Sequence, residues 1–197
     1  MKVLIISFLI LFITSSCSTN VVDSQGVKEK QFATEFSFLI AQKNDITLNE
    51  NDNYFIVRYN DEDFYKKMEN VYILFFFHQN ELSIQAFHNE KEFQEIKVNP
   101  DLYSQLLNEN VSKYKSQNFK KFTTEDGSEI SVNNTVITEY YFNYLGNRFY
   151  KEIREFDYST FEKMKNINSE YNLSLSLLEF DTFVKQGLFY YFEKIDE

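Results

Sequence analysis

The sequence contains few cysteine, proline, glycine, histidine or tryptophan residues. Its 197 residues include one cysteine, one proline, four glycines, two histidines and no tryptophan. A single cysteine cannot form a disulfide within the chain, so the fold must be held together by its core. The scattered glycines provide no phosphate-binding loop, and the GxSxG and SxxK nucleophile motifs are missing. The sequence therefore gives no sign of a recognisable catalytic motif.

Basic residues are also scarce, with 20 lysines and arginines against 30 acidic side chains and a formal net charge of −10. The basic residues cluster only in short pairs, such as Lys66 with Lys67 and Lys120 with Lys121. An acidic surface repels phosphate backbones, so we expect no nucleic-acid partner. The negative net charge can be explained by a need for solubility. The alternative explanation is that the acidic surface binds a specific basic protein.

Aromatic residues, in contrast, are plentiful. The chain has 22 phenylalanines and 14 tyrosines, and 18% of all residues are aromatic. A disordered segment lacks this amount of core-forming material. A chain of this length buries roughly 70% of its unfolded surface when it folds as one domain, which is enough for a stable core. Composition thus predicts a single globular domain.

The amino terminus has the composition of a targeting signal. Lys2 precedes an apolar run from Val3 to Ile13, VLIISFLILFI, which only Ser7 interrupts. Eleven residues are too few for a membrane-spanning helix, which needs about 20, and they match the hydrophobic region of a secretory signal. The alternative is a buried N-terminal helix.

The lone cysteine, Cys17, stands just after this run. The sequence ITSSC, followed by Ser-Thr-Asn, resembles the lipobox of bacterial lipoproteins, although Thr14 and Ser16 occupy positions where leucine and glycine or alanine are commoner. The resemblance implies that Cys17 becomes the first mature residue, with a diacylglycerol on its sulfur and an acylated amino group. Ordinary secretion with a free thiol and an uncleaved anchor are the alternatives.

Lipidation would hold the protein on a membrane without spanning it, because two or more acyl chains bind stably. We expect residues 1–16 to be the signal peptide, 17–28 a lipidated tether and 29–197 the globular domain. Cleavage removes one basic residue and makes the formal net charge −11. Ser18 is not the aspartate that favours inner-membrane retention in this class, so the resemblance implies the outer membrane of a bacterial cell envelope.

The globular part alternates helix-period and strand-period segments, which indicates a single α+β domain with a largely antiparallel sheet and about five helices. The helices are predicted from apolar spacing and caps at 29–43, after Asn60, after Asn99 and Pro100, from Ser159 to about 171, and from Ser176 to Gly187. The alternation of Leu173, Leu175 and Leu177 leaves a strand open for 172–187.

The strands are predicted from continuous or alternating apolar runs at 53–59, 71–77, 82–87, 136–145, 148–156 and 188–195. A further hairpin is expected at 119–124 and 129–132, around Asp126 and Gly127. A core of eight residues follows from these faces: Phe36, Ile40, Ile73, Phe75, Leu106, Tyr140, Phe142 and Ile153.

The two histidines do not predict a metal site. A two-residue turn at Gln79 and Asn80 pairs His78 with Glu81 and places His88 opposite Val71. The two imidazoles are then roughly 23 Å apart, whereas zinc ligands lie about 2.1 Å from one metal. Residues 49–53 (NENDN) begin like a calcium loop but lack its glycine and its final glutamate. We expect no metal or other cofactor.

The hairpin around Gly146 and Asn147 gives the one candidate binding surface. A turn at these two residues pairs Tyr144 with Phe149 and puts Tyr141 and Tyr150 on one face, about 7 to 8 Å apart. Exposed tyrosines stack on sugars and anchor protein partners. The alternative is that a helix covers this face and both rings belong to the core.

The sequence accordingly favours a non-catalytic envelope lipoprotein that binds or scaffolds another envelope component, a protein or a glycan. Two alternatives remain open. One is a hydrolase acting on envelope glycans or peptides, because a pair of carboxylates leaves no local sequence motif. The other is an immunity-type inhibitor whose acidic surface binds a basic toxin.

Overall fold

The computed structural model describes residues 24–41, 46–60, 70–79, 81–88, 93–133 and 135–196. In these ranges the chain forms five helices and six strands, which confirms the predicted α+β class. The elements in chain order are α1 (Ser24–Ala41), β1 (Asn53–Asn60), β2 (Val71–His78), β3 (Glu81–Phe87), β4 (Ile96–Val98), α2 (Asp101–Ser116), β5 (Ile137–Tyr144), β6 (Asn147–Arg154), α3 (Glu155–Tyr158), α4 (Ser169–Leu173) and α5 (Ser176–Asp196). Within them no helix has both the length and the apolar character needed to cross a membrane.

All six strands belong to one antiparallel sheet with the order β4-β3-β2-β1-β5-β6. Two sequential groups, β1 to β4 and β5 to β6, are joined through α2, which brings β5 back beside β1. The sheet therefore begins and ends with the short strand β4 and the eight-residue strand β6. The second of these edges adjoins the candidate site.

Helix α1 covers one face of the sheet. Phe32, Phe36 and Leu39 recur at helical spacing and are all buried there. Phe32 packs against Tyr72 and Tyr141 of the sheet, with ring centroids 5.4 and 6.3 Å apart. Residues 24–28, which were predicted as part of the tether, belong to α1.

Helices α2 and α5 cover the opposite face. Phe55 and Phe75 stack there at 4.2 Å between centroids, and Phe180 of α5 contacts Phe55 and Phe142 at 5.4 and 5.8 Å. Such offset and edge contacts between rings add to the stabilisation that burial already provides. This aromatic layer is the main core of the domain.

The predicted core is largely confirmed. Six of its eight residues are buried, and the remaining two are partly buried against the same clusters. The buried residues are Phe36, Ile73, Phe75, Tyr140, Phe142 and Ile153, and the partly buried ones are Ile40 and Leu106.

The predicted strand at 188–195 is wrong, because α5 continues without a break to Asp196. Leu188, Tyr191 and Phe192 are buried at i, i+3 and i+4, a spacing that also suits a helix. Gly187 does not end this helix. A Cβ built on Gly187 would lie 2.2 Å from the hydroxyl oxygen of Tyr103, so this glycine makes room for α2.

The predicted helix from Ser159 to 171 is also wrong. This stretch contains a tight turn closed by a bridge between Phe161 and Met164, followed by the short helix α4. The hairpin expected around Asp126 and Gly127 is reduced to an isolated bridge between Thr123 and Glu129. The helix predicted after Asn60 lies outside the described residues.

The hairpin of β5 and β6 forms as predicted, but its register differs by two residues. Tyr144 pairs with Asn147 and not with Phe149, because the turn is Leu145 and Gly146. Both turn residues have positive φ, 48° and 72°, as a two-residue type I′ turn requires. A slip of two positions leaves every side chain on its predicted face.

Candidate functional site

Strand β6 forms an open edge of the sheet. The hairpin closes at a hydrogen-bonded pair next to the two-residue turn, so residues 147, 149, 151 and 153 bond to β5. The backbone groups of the alternate residues, including Tyr150 and Glu152, therefore face away from β5. Gln25 of α1 donates from its Nε2 to the carbonyl of Tyr150 at 3.0 Å, in agreement with this parity. The N–H of Glu152 faces the same edge.

A cleft of about 550 Å³ runs along this edge. Its walls come from the start of α1, the loop 117–121, residues 129–132 with Thr135, strand β6 and helix α3. The volume lies within the range of ligand-binding pockets, roughly 300 to 1,000 Å³. The cleft can thus admit a ligand directly beside the outward-facing backbone of β6.

The ratio of basic to acidic side chains is higher in the lining of the cleft than in the chain as a whole. Its lining includes four cations and three carboxylates, whereas the full sequence has 20 basic and 30 acidic residues. These charged residues are Lys28, Lys121, Lys151, Arg154, Glu129, Glu152 and Asp157. The cleft is therefore locally cationic on an acidic protein.

Glu152 is held by two of these cations. Lys28 of α1 and Arg154 of β6 both donate to its carboxylate. Burial favours the neutral acid, but the hydrogen bonds from Lys28 and Arg154 outweigh it and lower the pKa of Glu152 below its usual value. Lys121 pairs with Glu129 at 2.9 Å on the opposite wall. Three of the four cations thus already have a carboxylate partner.

Lys151 differs from the other three. Its side chain is buried, with 6% of the residue exposed, and its ammonium donates to the carbonyl of Gln117 and, at 2.9 Å, to Oδ1 of Asn118. Both acceptors are uncharged. Burial lowers the pKa of Lys151, because desolvation penalises the ammonium form.

Asp157 has the opposite setting to Glu152. One of its carboxylate oxygens accepts from the amide of Phe122 at 3.2 Å. Burial raises the pKa of Asp157 despite this bond and despite the nearby charge of Arg154. Two carboxylates with pKa values shifted in opposite directions therefore line one cleft.

Buried asparagines fix the cleft walls. Asn172 accepts from the amide of Lys120 at 2.9 Å and donates to the carbonyls of Lys120 and Asp157, both at 2.7 Å. Asn166 accepts from the amide of Thr123 at 3.2 Å and also donates to the carbonyl of Asp157. Both side chains are almost fully buried. They tie loop 117–124 to α3 and α4, so the cleft is preformed.

The two tyrosines predicted as a binding surface pair directly with each other, but they are not exposed. Only 8% of Tyr141 and 1% of Tyr150 is accessible, because α1 lies over them. The Tyr150 hydroxyl donates to Glu139, whose carboxylate also accepts from Arg58. The prediction of an exposed pair is therefore wrong, and the alternative, in which a helix covers this face, is correct. Tyr150 still reaches the cleft, of which it forms part of the floor.

The other predicted site residues lie away from the cleft. Cys17 is outside the described residues. His78 pairs with Glu81 as predicted, and the register places His88 opposite Val71 at the far end of the hairpin. In the described ranges no group of three or more histidine, cysteine, aspartate or glutamate side chains is arranged to hold a metal ion.

Sequence reasoning missed the cleft because its walls come from five separate segments. One available signal was the apolar alternation of β6, which Lys151 breaks with a charged residue on the core face. A lysine at a core-facing position is rarely fully buried without a partner. That position could have been identified as special.

Comparisons with protein-family models, with curated proteins and with solved structures find no match to this chain.

Proposed function

We propose that this protein is a lipid-anchored component of the bacterial envelope whose domain binds an extended segment of another envelope protein along β6. The observation that carries the proposal is the preformed cleft beside the outward-facing backbone of an edge strand. Extended peptides bind such edges by adding a strand, with main-chain hydrogen bonds giving affinity and pockets giving specificity. This geometry supports a binding role.

Edge strands are usually protected against unwanted pairing, and β6 is protected only in part. Gln25 donates a hydrogen bond to the carbonyl of Tyr150, and the side chains of Arg154 and Lys28 lie beside the edge. The cleft, however, separates the edge from the wall that faces it. A partner strand must displace or join the Gln25 contact. This requirement favours a specific partner over general aggregation.

The proposed anchor would place the cleft near a membrane. Helix α1 begins seven residues after Cys17. Seven residues in an extended chain reach at most about 25 Å. Gln25 and Lys28 in the first turns of α1 line the cleft. A lipidated Cys17 would therefore hold the cleft close to the membrane surface, where envelope partners are found.

Intact mass spectrometry of the membrane-extracted protein tests the anchor. We expect a chain that begins at Cys17 and carries the mass of its acyl groups, and Cys17→Ser should move the folded domain to the soluble fraction. A chain that still begins at Met1, or an unmodified Cys17, would contradict the lipoprotein assignment.

Site-specific photocrosslinking in the native membrane tests the binding edge. A photoreactive residue in place of Ser131, an exposed position in the cleft wall, should capture a partner protein. The matched control places the same residue at Lys97, which is exposed on the opposite edge strand β4. Equal products from both positions, or none from Ser131, would argue against the cleft.

Replacement of one backbone donor makes the test sharper. Glu152→Pro removes the N–H that faces the edge, and proline is tolerated in edge strands when its position faces outward. Glu152→Ala removes the same carboxylate and its ion pairs but keeps the N–H. We expect crosslinking from Ser131 to be lost in the proline variant and retained in the alanine variant, with circular dichroism confirming that both fold.

A second candidate function rests on the two carboxylates in the cleft. Shifts of pKa in opposite directions distinguish the acid from the base in many glycosidases, and Asp157 and Glu152 show such a pair of shifts. A glycan- or peptide-acting hydrolase would lose its activity on envelope fragments in both Asp157→Asn and Glu152→Gln. Measured turnover of purified envelope fragments by the wild-type chain would favour this function over binding alone.

A further inference from the structure

Lys151 occupies an unusual position in the cleft. It lies in the middle of β6 on the face that points to α2 and α5, yet it lines the cleft together with Gln117 and Asn118. The latter two residues supply the acceptors of its ammonium. The side chain of Gln117 is in turn fixed at the start of α5, where its Oε1 accepts from the amide of Leu177 at 3.0 Å. The ammonium is therefore held in place by a rigid wall.

The charge of this ammonium is not balanced by the protein. The other three cations of the cleft each contact a carboxylate, but in the part of the chain that the structure describes no carboxylate lies within 4.0 Å of Lys151. A buried charge without a counter-charge costs free energy, and natural proteins usually pair it. An ammonium also has three donors, and two acceptors leave one donor for a ligand.

We propose that Lys151 is the carboxylate-binding subsite of the cleft, and that the bound segment presents a side-chain or C-terminal carboxylate to its remaining donor. This inference rests on the proposed strand-binding function, because it names the chemistry of the segment that binds there. An arriving carboxylate would supply the missing counter-charge in a desolvated position, where a charge-assisted hydrogen bond is strong.

The surroundings select a carboxylate over a phosphate. A phosphate group requires several donors and carries up to two negative charges, whereas Lys151 has a single donor available. The other three cations of the cleft already contact carboxylates, so they offer no second charged contact to a dianion. One ammonium with one available donor matches one carboxylate oxygen.

The ammonium signals of lysine side chains in nitrogen-15 NMR spectra test this subsite directly. The full-length chain in detergent micelles would be titrated with sodium acetate, and with sodium chloride and sodium phosphate at matched ionic strength. Lys151→Gln, which keeps a donor for the Gln117 carbonyl, identifies the Lys151 signal. Lys97, an exposed lysine already paired with Glu81, is the control within the same molecule.

We expect the Lys151 signal to shift to saturation with acetate at about 10-fold lower concentration than with chloride or phosphate, a ratio that corresponds to about 1.4 kcal/mol. The Lys97 signal should show only the weak change common to all three salts. A Lys151 signal that does not saturate, or that responds equally to the three anions, would overturn the subsite.

Two capped dipeptides distinguish the sources of the carboxylate. N-acetyl-dialanine has a free terminal carboxylate, and amidated N-acetyl-alanyl-aspartate has only a side-chain carboxylate. The peptide with the lower half-saturation at Lys151 identifies the source, and equal values assign the subsite to either kind of carboxylate. Failure of both peptides to shift Lys151 would overturn the proposal even if acetate binds.

The subsite and the proposed function can fail separately. Crosslinking from Ser131 that is lost in Glu152→Pro, together with a Lys151 signal indifferent to acetate, would retain strand binding and reject the subsite. A saturable acetate response without any crosslinked partner would reject the protein partner and retain an anion site.

Discussion

The two faces of the sheet are buried by different kinds of interaction. On the α2 and α5 side, rings such as Phe55, Phe75 and Phe142 fill the interior. On the α1 side, Arg58 lies between the carboxylates of Glu35 and Glu139, both 2.5 Å from its guanidinium nitrogens. One face depends mainly on packing, and the other combines packing with a network of charges.

The difference implies that the packing of α1 on the sheet depends more on solution conditions than the packing of α2 and α5 does. Packing against α2 and α5 depends mainly on apolar surface, which does not titrate. The α1 network depends on the ionisation of Glu35 and on hydroxyl groups such as that of Tyr72, which donates to Glu35 at 2.7 Å. We infer that α1 is the part of the core that conditions can loosen.

The largest expected effect is on the packed face. Phe142→Ala removes a fully buried ring that contacts Phe55, Phe149 and Phe180, and it should lower the free energy of unfolding by about 3 to 5 kcal/mol. Chemical denaturation followed by circular dichroism measures the loss. Phe38→Ala, a change at a ring that is 64% exposed on α1, is the control and should cost under about 0.5 kcal/mol. A loss of under 1 kcal/mol in Phe142→Ala would place that ring outside the core.

The second effect is on the charged face. Arg58→Met leaves the carboxylate of Glu139 buried without its cation, which should cost about 3 kcal/mol. The double variant with Glu139→Gln should recover part of that loss, because the unpaired charge is gone. Lys97→Met, at an exposed pair with Glu81, should produce no measurable change. Additive losses in the double variant would show that the two residues are not coupled.

The third prediction contrasts the two faces in acid. Hydrogen bonds and charge from Tyr72 and Arg58 outweigh burial and lower the pKa of Glu35, and the pKa of Glu152 is lowered in the same sense. Carboxylates with a lowered pKa stabilise the fold fully above about pH 4.5, and this contribution is lost as the pH falls through their folded pKa. Asp181, a buried residue of α5, has a pKa raised by burial, so its protonation in acid relieves a desolvation cost.

Acidification from pH 5.5 to 3.5 should therefore lower the hydrogen-exchange protection of α1 amides before that of α5 amides. Protection factors corrected for the intrinsic exchange rate at each pH measure the difference. The double variant Glu35→Gln with Glu152→Gln should abolish the pH dependence of α1. Parallel loss of protection in both helices would contradict the distinction between the two faces.

The smallest expected effect is in the turn between β5 and β6, away from both faces of the sheet, and it can be compared with the larger effects on those faces. Leu145 in the turn between β5 and β6 is exposed and has a φ of 48°, a conformation that disfavours leucine. Leu145→Asn should raise the free energy of unfolding by about 0.5 to 1 kcal/mol, because asparagine tolerates this conformation. Gly146→Ala, with φ at 72°, should lower it by a similar amount. Opposite signs in thermal unfolding would confirm the turn assignment.

Five of the six strands in the described residues could be predicted from the sequence, because their apolar runs have one consistent reading, whereas the three-residue strand β4 was not predicted. The run from Val71 to Phe77 is too short for a typical helix and rich in aromatic residues, and it forms an interior strand. The turn at Gln79 likewise gave the correct pairing of His78 with Glu81. Local length and turn chemistry decided these elements.

The end of the chain could not be predicted in the same way, because its glycine has a tertiary cause. Gly187 resembles a helix terminator in sequence, but it is a close-contact position for the hydroxyl of Tyr103, which is 84 residues away. The helix predicted to start at Ser159 likewise does not form, because Asn166 and Asn172 both donate to the carbonyl of Asp157 in α3 and hold the chain in turns. Long-range contacts of this kind leave no local pattern.

The candidate site was the least predictable part. Only Tyr150 was named from the sequence, and for the wrong reason, since it was expected on an open surface and is buried at the cleft floor. Loop 117–121 and strand β6 are adjacent only because the sheet returns through α2. Binding sites built from distant segments require the topology before their residues can be grouped.

The first turns of α1 have a mechanical consequence. Gln25 and Lys28 link this end of the helix to Tyr150 and Glu152 of β6, and all four residues line the cleft. Any tension applied through the chain before Ser24 is therefore transmitted to the domain through the rim of its own cleft. A pull at the amino terminus loads two side-chain contacts in sequence before it reaches the aromatic layer. Loss of these two contacts would separate the start of α1 from β6 at the rim of the cleft.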